Sequence, residues 1–206
     1  GGDSHYFSDY EGGYATYNLL GGVMAVSEPM VSNNGSGAIK PRRYIPVAQG
    51  FFVKGDVDGG TIKFNNSQRV FKKESEGNSV FIRSTGSSNN MDNDSIVAIG
   101  KIYFEFTTPE GAIRELLLGV KNDLTTGVEK GYDGECLELT NTDCSWDIEN
   151  KPYVIQGIGS LHSNLELPLL MQIGTSGSCD FSIGERTNIA PELRVYLSDK
   201  VLNIDN

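Results

Sequence analysis

Two pairs of aspartates have a spacing that could serve calcium binding. Asp56 and Asp58 lie in the sequence GDVDGG, and Asp92 and Asp94 lie in MDNDS. Calcium loops place oxygen ligands at alternate positions, and each pair supplies two such carboxylates. Neither pair is followed by the bidentate glutamate that completes an EF-hand loop. Aspartate is also a common turn residue, so a calcium site and a simple turn are alternative interpretations of both pairs.

The cysteines permit a disulfide. Cys136 and Cys144 flank the polar sequence LELTNTD, and a bond between them would join two neighbouring strands and leave Cys179 over. An exported protein can carry such a bond. Because a sequence does not fix the Cα separation that a disulfide needs, three reduced and mostly buried cysteines are the alternative. The potential ligands are too few for a zinc site.

Residues for the common kinds of catalysis are sparse. The two histidines, His5 and His162, are far apart, and the chain has no GxSxG, P-loop, HExxH or CxxC motif. Nothing in the sequence indicates a Ser-His-Asp site assembled from distant residues. Paired carboxylates of the glycosidase type leave no sequence signature, because the two residues are neighbours only in space. We therefore predict that the protein is not an enzyme and needs no cofactor other than the calcium considered above.

Tyrosines are dense at the start of the chain. Tyr6, Tyr10, Tyr14 and Tyr17 all precede residue 18. Aromatic rings can stack on the apolar faces of sugars, so these four residues are candidates for a glycan-binding platform. The alternative is that they pack in the core or at its rim.

The residues considered so far must be positioned by strands. The stretch 44–71 predicts a strand, a turn and a second strand, because Phe51 and Val53 would share one face and Ile62 and Phe64 a face across the turn. Thr61 and Lys63 would point the other way, as a period of two requires. Three glycines permit the positive φ angles of the connection: Gly55, Gly59 and Gly60.

A hairpin is predicted in the middle of the chain. Residues 96–106 alternate between small or apolar and polar positions, the TPEG sequence at 108–111 is typical of a turn, and 112–120 returns as the partner strand. The run Leu116-Leu117-Leu118 indicates a strand that is covered on both faces, as in a two-layer sandwich.

Further short strands are predicted to the end of the chain, at 137–139, 145–148, 153–158, 165–173, 179–183 and 193–197. We predict an all-β fold, a two-layer antiparallel β-sandwich of the jelly-roll kind without long helices, as a single module over residues 1–206. The predicted core consists of Phe51, Val53, Ile62, Phe64, Ile102, Phe104, Leu116, Leu118, Ile155 and Val195.

The net charge of −10 bears on the class of partner. Nucleic-acid binding needs a positive surface, and anionic lipid repels an acidic protein, so we predict neither partner. No apolar run reaches the length of a membrane span. The chain opens without a signal peptide, and we expect it to be a fragment of a larger exported protein.

Six segments of the chain are informative in combination: EGGYATYNLLGG (11–22), YIPVAQGFFV (44–53), GTIKFNNSQRVF (60–71), ELLLGV (115–120), GYDGE (131–135) and YVIQGIG (153–159). Together they resemble a module of large surface proteins of Bacteroidetes, especially flavobacteria. In that family the module precedes the C-terminal sorting domain of the type IX secretion system. The resemblance implies a secreted or outer-membrane-surface protein that contacts the type IX machinery during export. From the resemblance we expect the present sequence to start after the module's first strand and to stop before a sorting domain, and no catalytic residue carries over.

We therefore expect a structural or adhesive module that contacts neighbouring domains of the same protein, glycans or other surface proteins. The alternative is an accessory module, carbohydrate-binding or linking, of a secreted polysaccharide hydrolase or peptidase. Asp94-Ser95-Ile96 matches the short motif on which exported Bacteroidetes proteins carry O-linked glycans, so Ser95 is a candidate glycosylation site.

Overall fold

Eleven short strands and one 3-10 turn form the regular structure of the described residues, which are 14–26, 40–55, 57–73, 79, 99–200 and 204–205 of this computed structural model. The predicted all-β class is confirmed. Among these residues there is no helix with the length and apolarity needed to cross a lipid bilayer. The strands are β1 (Thr16–Asn18), β2 (Gly21–Val23), β3 (Gly100–Thr107), β4 (Ile113–Val120), β5 (Gly134–Glu135), β6 (Asp143–Ile148), β7 (Lys151–Ile158), β8 (Leu169–Gln172), β9 (Asp180–Thr187), β10 (Ser198–Asp199) and β11 (Ile204–Asp205).

Seven strands form one mixed sheet in the order β8-β6-β7-β4-β3-β9, with β5 paired to β7. Tyr153 pairs with both β5 and β6, whereas Ile155 pairs with both β5 and β4. Strand β5 therefore runs along one edge of β7, and β6 and β4 follow one another along the other edge. The β4–β7 pair is parallel, so the sheet is not purely antiparallel. The jelly-roll arrangement itself stays a prediction.

The central hairpin has the predicted position and register. Strands β3 and β4 are antiparallel, and Phe104 lies opposite Leu116. The turn closes through the Gly111 N–H, which donates to the Thr108 carbonyl at 2.9 Å. Gly111 has a φ of 85°, which favours glycine over any residue with a Cβ. Local chemistry thus fixes this hairpin without help from distant residues.

Both faces of β4 are covered, as the Leu116-Leu117-Leu118 run predicts. All three leucines are buried. On one face Phe104 meets Trp146 edge-on at 5.5 Å and stacks on Phe181 at 5.6 Å. On the opposite face of the strand lie Leu117 and Gly119, and the Leu20 side chain is so close to Gly119 that a Cβ there would lie 2.6 Å from it. The β1–β2 hairpin is therefore the second layer over the centre of the sheet.

The predicted strands within 44–71 do not form. This stretch contains a 3-10 turn at Asn66–Gln68 and one isolated bridge, between Tyr44 and Ser79. Phe51, Val53, Ile62 and Phe64 are all exposed, so their assignment to the core is wrong. The alternation shows that these residues are suited to strands, but no strand of the described chain pairs with this stretch. The predicted turn is present, since Gly59 and Gly60 have φ angles of 73° and 157°.

Two other predicted strands are also wrong. Residues 137–139 and 193–197 lie outside the strands, and Val195 is exposed rather than in the core. The remaining predicted core residues, Ile102, Phe104, Leu116, Leu118 and Ile155, are buried. The correct assignments fall on strands that pair on both edges, and the wrong ones fall on chain that lies outside the seven-stranded sheet.

Phenylalanine truncations distinguish these two environments. Phe104 is 3% exposed and Phe64 is 72% exposed. Phe104→Ala should lower the free energy of unfolding by about 3–5 kcal/mol, because it leaves a cavity between Trp146 and Phe181. Phe64→Ala should change it by about 0.5 kcal/mol or less. Urea unfolding followed by circular dichroism measures both, and equal losses would contradict the burial described.

Candidate functional site

Positive charge is concentrated in residues 40–73, which we call the basic segment. Eight of the 17 Lys and Arg residues lie there, but only two of the 27 Asp and Glu residues. The basic segment therefore carries a formal charge of +6, whereas the rest of the chain, which we call the body, carries −16. A surface that combines opposite charges in separate regions favours oriented association with a charged partner.

Large apolar side chains accompany this positive charge. Every described residue from 50 to 73 is exposed. Such a surface is unusual, because isolated exposed apolar residues are common in proteins but runs of them mark binding sites. The large apolar residues exposed in the basic segment are Ile45, Val47, Phe51, Phe52, Val53, Val57, Ile62, Phe64, Val70 and Phe71.

The segment starts at a buried carboxylate of the body. Lys40 Nζ lies 2.6 Å from Glu115 Oε1 and 3.5 Å from the centre of the Tyr103 ring. The other carboxylate oxygen of Glu115 accepts the Met24 N–H at 3.1 Å. Burial raises the pKa of Glu115 above its ordinary value, although Lys40 and the Met24 N–H act in the opposite direction. Glu115 therefore anchors two separate parts of the N-terminal chain.

Glu115 also has a carboxylate neighbour. Glu105 lies directly opposite it in the β3–β4 ladder, so both side chains project from the same face. The charge of Glu105 contributes to the raised pKa of Glu115. This is the one cross-strand carboxylate pair within the β3–β4 ladder, and Glu115 is already engaged by Lys40 and Met24. Glu115 of this pair thus positions the start of the basic segment through Lys40.

A second group of contacts holds the first half of the basic segment on the body. Lys54 forms an ion pair with Glu135 of β5. The Phe52 ring meets the Tyr14 ring edge-to-face at 5.5 Å. Phe51 in turn meets Phe64 across the glycine turn, with ring centres 6.2 Å apart. These contacts fix residues 51–54, and among the described residues Phe64 of the stretch 61–64 packs on Phe51.

Three cations of the second half lack an acidic partner. Within the described residues, Lys63, Arg69 and Lys73 form no ion pair, and all three are exposed. Lys72 lies over the Tyr44 ring at 5.0 Å. The second half of the basic segment thus offers exposed aromatic rings and unpaired positive charge together.

Arg114 and Asp143 form a buried ion pair in the body. The Arg114 Nε and Nη2 atoms donate to the two Asp143 oxygens at 2.8 and 2.7 Å, and Nη2 also donates to the Glu138 carbonyl at 3.0 Å. Burial by itself would lower the pKa of Arg114, but the hydrogen bond and charge of Asp143 raise it above its ordinary value. This bidentate geometry is the strongest form of a carboxylate–guanidinium contact.

The contacts of Arg114 and Asp143 also hold the connection between Cys136 and Cys144, which are not bonded to each other. All three are free thiols, which is the second of the two alternatives given by the sequence. The Cys136 N–H donates to the Pro152 carbonyl beside β7, whereas Cys144 pairs with Met171 on β8, so the two face different strands. The connection between them is held by Arg114, and by Asp143 accepting the Thr140 N–H at 2.8 Å. Burial raises the pKa of Cys136, and of Cys144 to about 12, so both thiols are unreactive near neutral pH.

The candidate ligand-binding residues fall into two groups. Tyr14 and Tyr17 are exposed, and Asp58 is exposed as well. Across the described ranges no cluster of three metal-ligating side chains is present. The other candidates lie outside the described residues: Tyr6, Tyr10, Asp56, Asp92, Asp94 and Ser95.

The basic segment was not identified as a charged surface from the sequence. The net charge of the whole chain is −10, and this value hides the positive segment. A sliding count of Lys and Arg would have revealed it, because the segregation is a property of the sequence itself.

Comparison with known proteins gives one match. The family model described as "Domain of unknown function (DUF8693)" matches residues 4–206. No curated protein and no solved structure matches the chain. The functional argument therefore depends on the charge, exposure and contacts of the residues described above.

Removal of the Asp143 charge tests the buried network. Asp143→Asn should lower the free energy of unfolding by about 3–5 kcal/mol, because Arg114 keeps its charge without a compensating anion. Asp180→Asn, at an exposed position in β9, is the matched control and should change stability by about 0.5 kcal/mol or less. Chemical unfolding at neutral pH measures both variants. A similar small change in the two would show that the pair contributes little to the fold.

Proposed function

The chain belongs to the DUF8693 family of domains of unknown function, and we propose that it is a non-enzymatic structural and adhesive module of an exported protein. In this proposal the basic segment joins the module to a neighbouring protein domain. Export through the type IX secretion system and a location outside the cell or on the outer membrane are parts of the same proposal. They are supported by the resemblance of segments such as 44–53 and 60–71 to surface-protein modules.

The exposed apolar surface of the basic segment is the observation that carries the proposal. Phe52, Phe64 and Phe71 are 78%, 72% and 86% exposed. Full burial of one such side chain stabilises a complex by roughly 1.5–3 kcal/mol, and aromatic anchors often dominate binding energy. Three anchors on one segment are thus sufficient for a specific protein contact.

The conformational entropy that is lost when the basic segment is ordered also supports a partner domain. Fixing a backbone residue in one conformation costs about 1–2 kcal/mol, and burial must offset this cost. Residues 57–73 bury little surface in the isolated chain, since all of them are exposed. A partner that covers these residues would supply the missing burial, which supports a role in joining domains.

Crosslinking on intact cells of the native host tests both location and contact. A membrane-impermeant, amine-reactive crosslinker should reach Lys63 and Lys73 if the module is exported. It should also join these lysines to peptides of a partner domain, as identified by mass spectrometry. Lys151, exposed at the start of β7, is the control and should be labelled without comparable crosslinks.

Each part of the proposal can fail separately in this experiment. If none of the three lysines is labelled unless the cells are lysed, the module is not exported. If Lys63 and Lys73 are labelled but crosslinked no more often than Lys151, the basic segment is not a docking surface.

Glycan binding is a second candidate function, as in an accessory module of a secreted hydrolase or peptidase. The Tyr14–Phe52 pair favours it, because an edge-to-face pair leaves ring faces open for stacking on a sugar. Tyr17, in the β1–β2 hairpin, is a third exposed aromatic residue. The nearby Lys54–Glu135 ion pair supplies groups that can hydrogen-bond sugar hydroxyls.

A glycan array followed by calorimetry tests this candidate. Tyr14→Ala and Phe52→Ala should each weaken binding of any glycan found by about 2- to 10-fold, through loss of stacking. Tyr196→Ala removes another exposed tyrosine outside this cluster and should leave the affinity unchanged. A blank array, or equal losses in all three variants, would exclude a platform at Tyr14 and Phe52.

A further inference from the structure

Residues 61–64, which we call the free arm, lie in the second half of the basic segment. We propose that the free arm of one copy pairs with the open edge of β9 on a second copy, so that modules assemble head to tail. This inference rests on the proposed docking role of the basic segment and names its partner.

The free arm has the residues of a strand but pairs with no strand in the described part of the chain. Thr61, Ile62, Lys63 and Phe64 are strand-forming or alternate in polarity, which is why the sequence predicts a strand here. Within the described residues they join no ladder, and the Phe64–Phe51 ring pair connects them to residues 51–54 of the same basic segment. Residues 51–54, in contrast, contact Tyr14 and Glu135 of the body. The free arm is therefore available as an added strand, and we call it the donor and the strand edge that receives it the acceptor.

Strand β9 has the complementary feature, an unpaired edge. It ends the sheet order, and in the described part of the chain it pairs with β3 alone. Its residues include the half-buried Phe181 and the exposed Ile183. An edge strand presents unpaired N–H and C=O groups that can accept an added strand from another chain.

Charge favours this pairing over other edges. Within the described residues Lys63 and Arg69, in the free arm and in the chain that follows it, form no ion pair. Strand β9 exposes two carboxylates, Asp180 and Glu185, and one cation, Arg186, whose Nη1 donates to the Leu193 carbonyl. On the larger scale, a segment of +6 meets a body of −16. Opposite potentials on two surfaces steer association and fix the orientation of the complex.

The geometry determines the kind of assembly. Donor and acceptor are different parts of the chain, so the contact between two copies is heterologous. Each copy in a pair keeps one unused donor or one unused acceptor. Such contacts propagate into open chains unless a ring closes.

Two defective variants can be combined to test this inference. The double variant Lys63→Glu, Arg69→Glu loses the donor and keeps the acceptor. The double variant Asp180→Lys, Glu185→Lys loses the acceptor and keeps the donor. All four positions are exposed, and circular dichroism melts check that both variants fold as the unaltered chain does.

Sedimentation and light scattering give the readout. The unaltered chain should self-associate at about 20 mM salt and at least about tenfold more weakly at about 500 mM. Each variant alone should be monomeric. Their mixture should associate again, because opposite charges face one another both where the unaltered arm meets the unaltered β9 and where the two charge-reversed surfaces meet.

Other outcomes overturn the inference. A mixture that stays monomeric, or single variants that associate like the unaltered chain, would exclude pairing of the free arm with β9. Binding to alginate that requires Lys63 and Arg69, without self-association, would identify an anionic polymer as the partner. A monomeric chain whose Lys63 and Lys73 still crosslink to another domain on cells would overturn this inference and leave the proposed function intact.

Discussion

The ion pair between Arg114 and Asp143 closes a junction at which the central sheet lacks a backbone ladder. Strands β6 and β4 follow one another along the same edge of β7, so no continuous strand bridges their junction. Side chains bridge it instead: Arg114 of β4 contacts Asp143 of β6, and the Trp146 indole donates to the Leu117 carbonyl at 3.1 Å. A buried ion pair is costly to desolvate, and it is stable here because both carboxylate oxygens and several guanidinium hydrogens are used.

Around this junction the body buries its apolar side chains, whereas the basic segment exposes its own. The body buries Leu116, Leu117 and Ile155, and within it the buried Arg114 and Asp143 pair with each other and with backbone groups. The segment is held by Lys40 and Lys54, and then presents aromatic rings and positive charge to solvent. The body and the basic segment therefore have different roles in the same chain. The body supplies a rigid base, and the segment supplies a surface whose burial remains available for a partner.

Sequence reasoning succeeded where the determinants are local and failed where they are not. The β3–β4 hairpin could be predicted, because the alternation around Phe104 and the turn at Gly111 both lie within a few residues. The strands at Phe51 and Phe64 were wrong, since alternation reports what a strand would need and not whether a partner exists. The Cys136–Cys144 spacing is compatible with a disulfide, but Arg114, far away in sequence, holds that connection instead. The candidate surface was missed because opposite charges cancel in a whole-chain total.

The parallel pairing of β4 with β7 has a consequence for the order of folding. The β3–β4 and β6–β7 hairpins close over short turns, whereas the parallel ladder joins residues separated by more than 30 positions, such as Leu117 and Ile155. Short loops close at smaller entropic cost, so the two hairpins should form first and their docking should limit the rate. Leu20 contacts both Gly119 of β4 and Gly157 of β7, which become neighbours only in that step. We therefore expect the β1–β2 hairpin to pack last, over a β4–β7 ladder that is already complete.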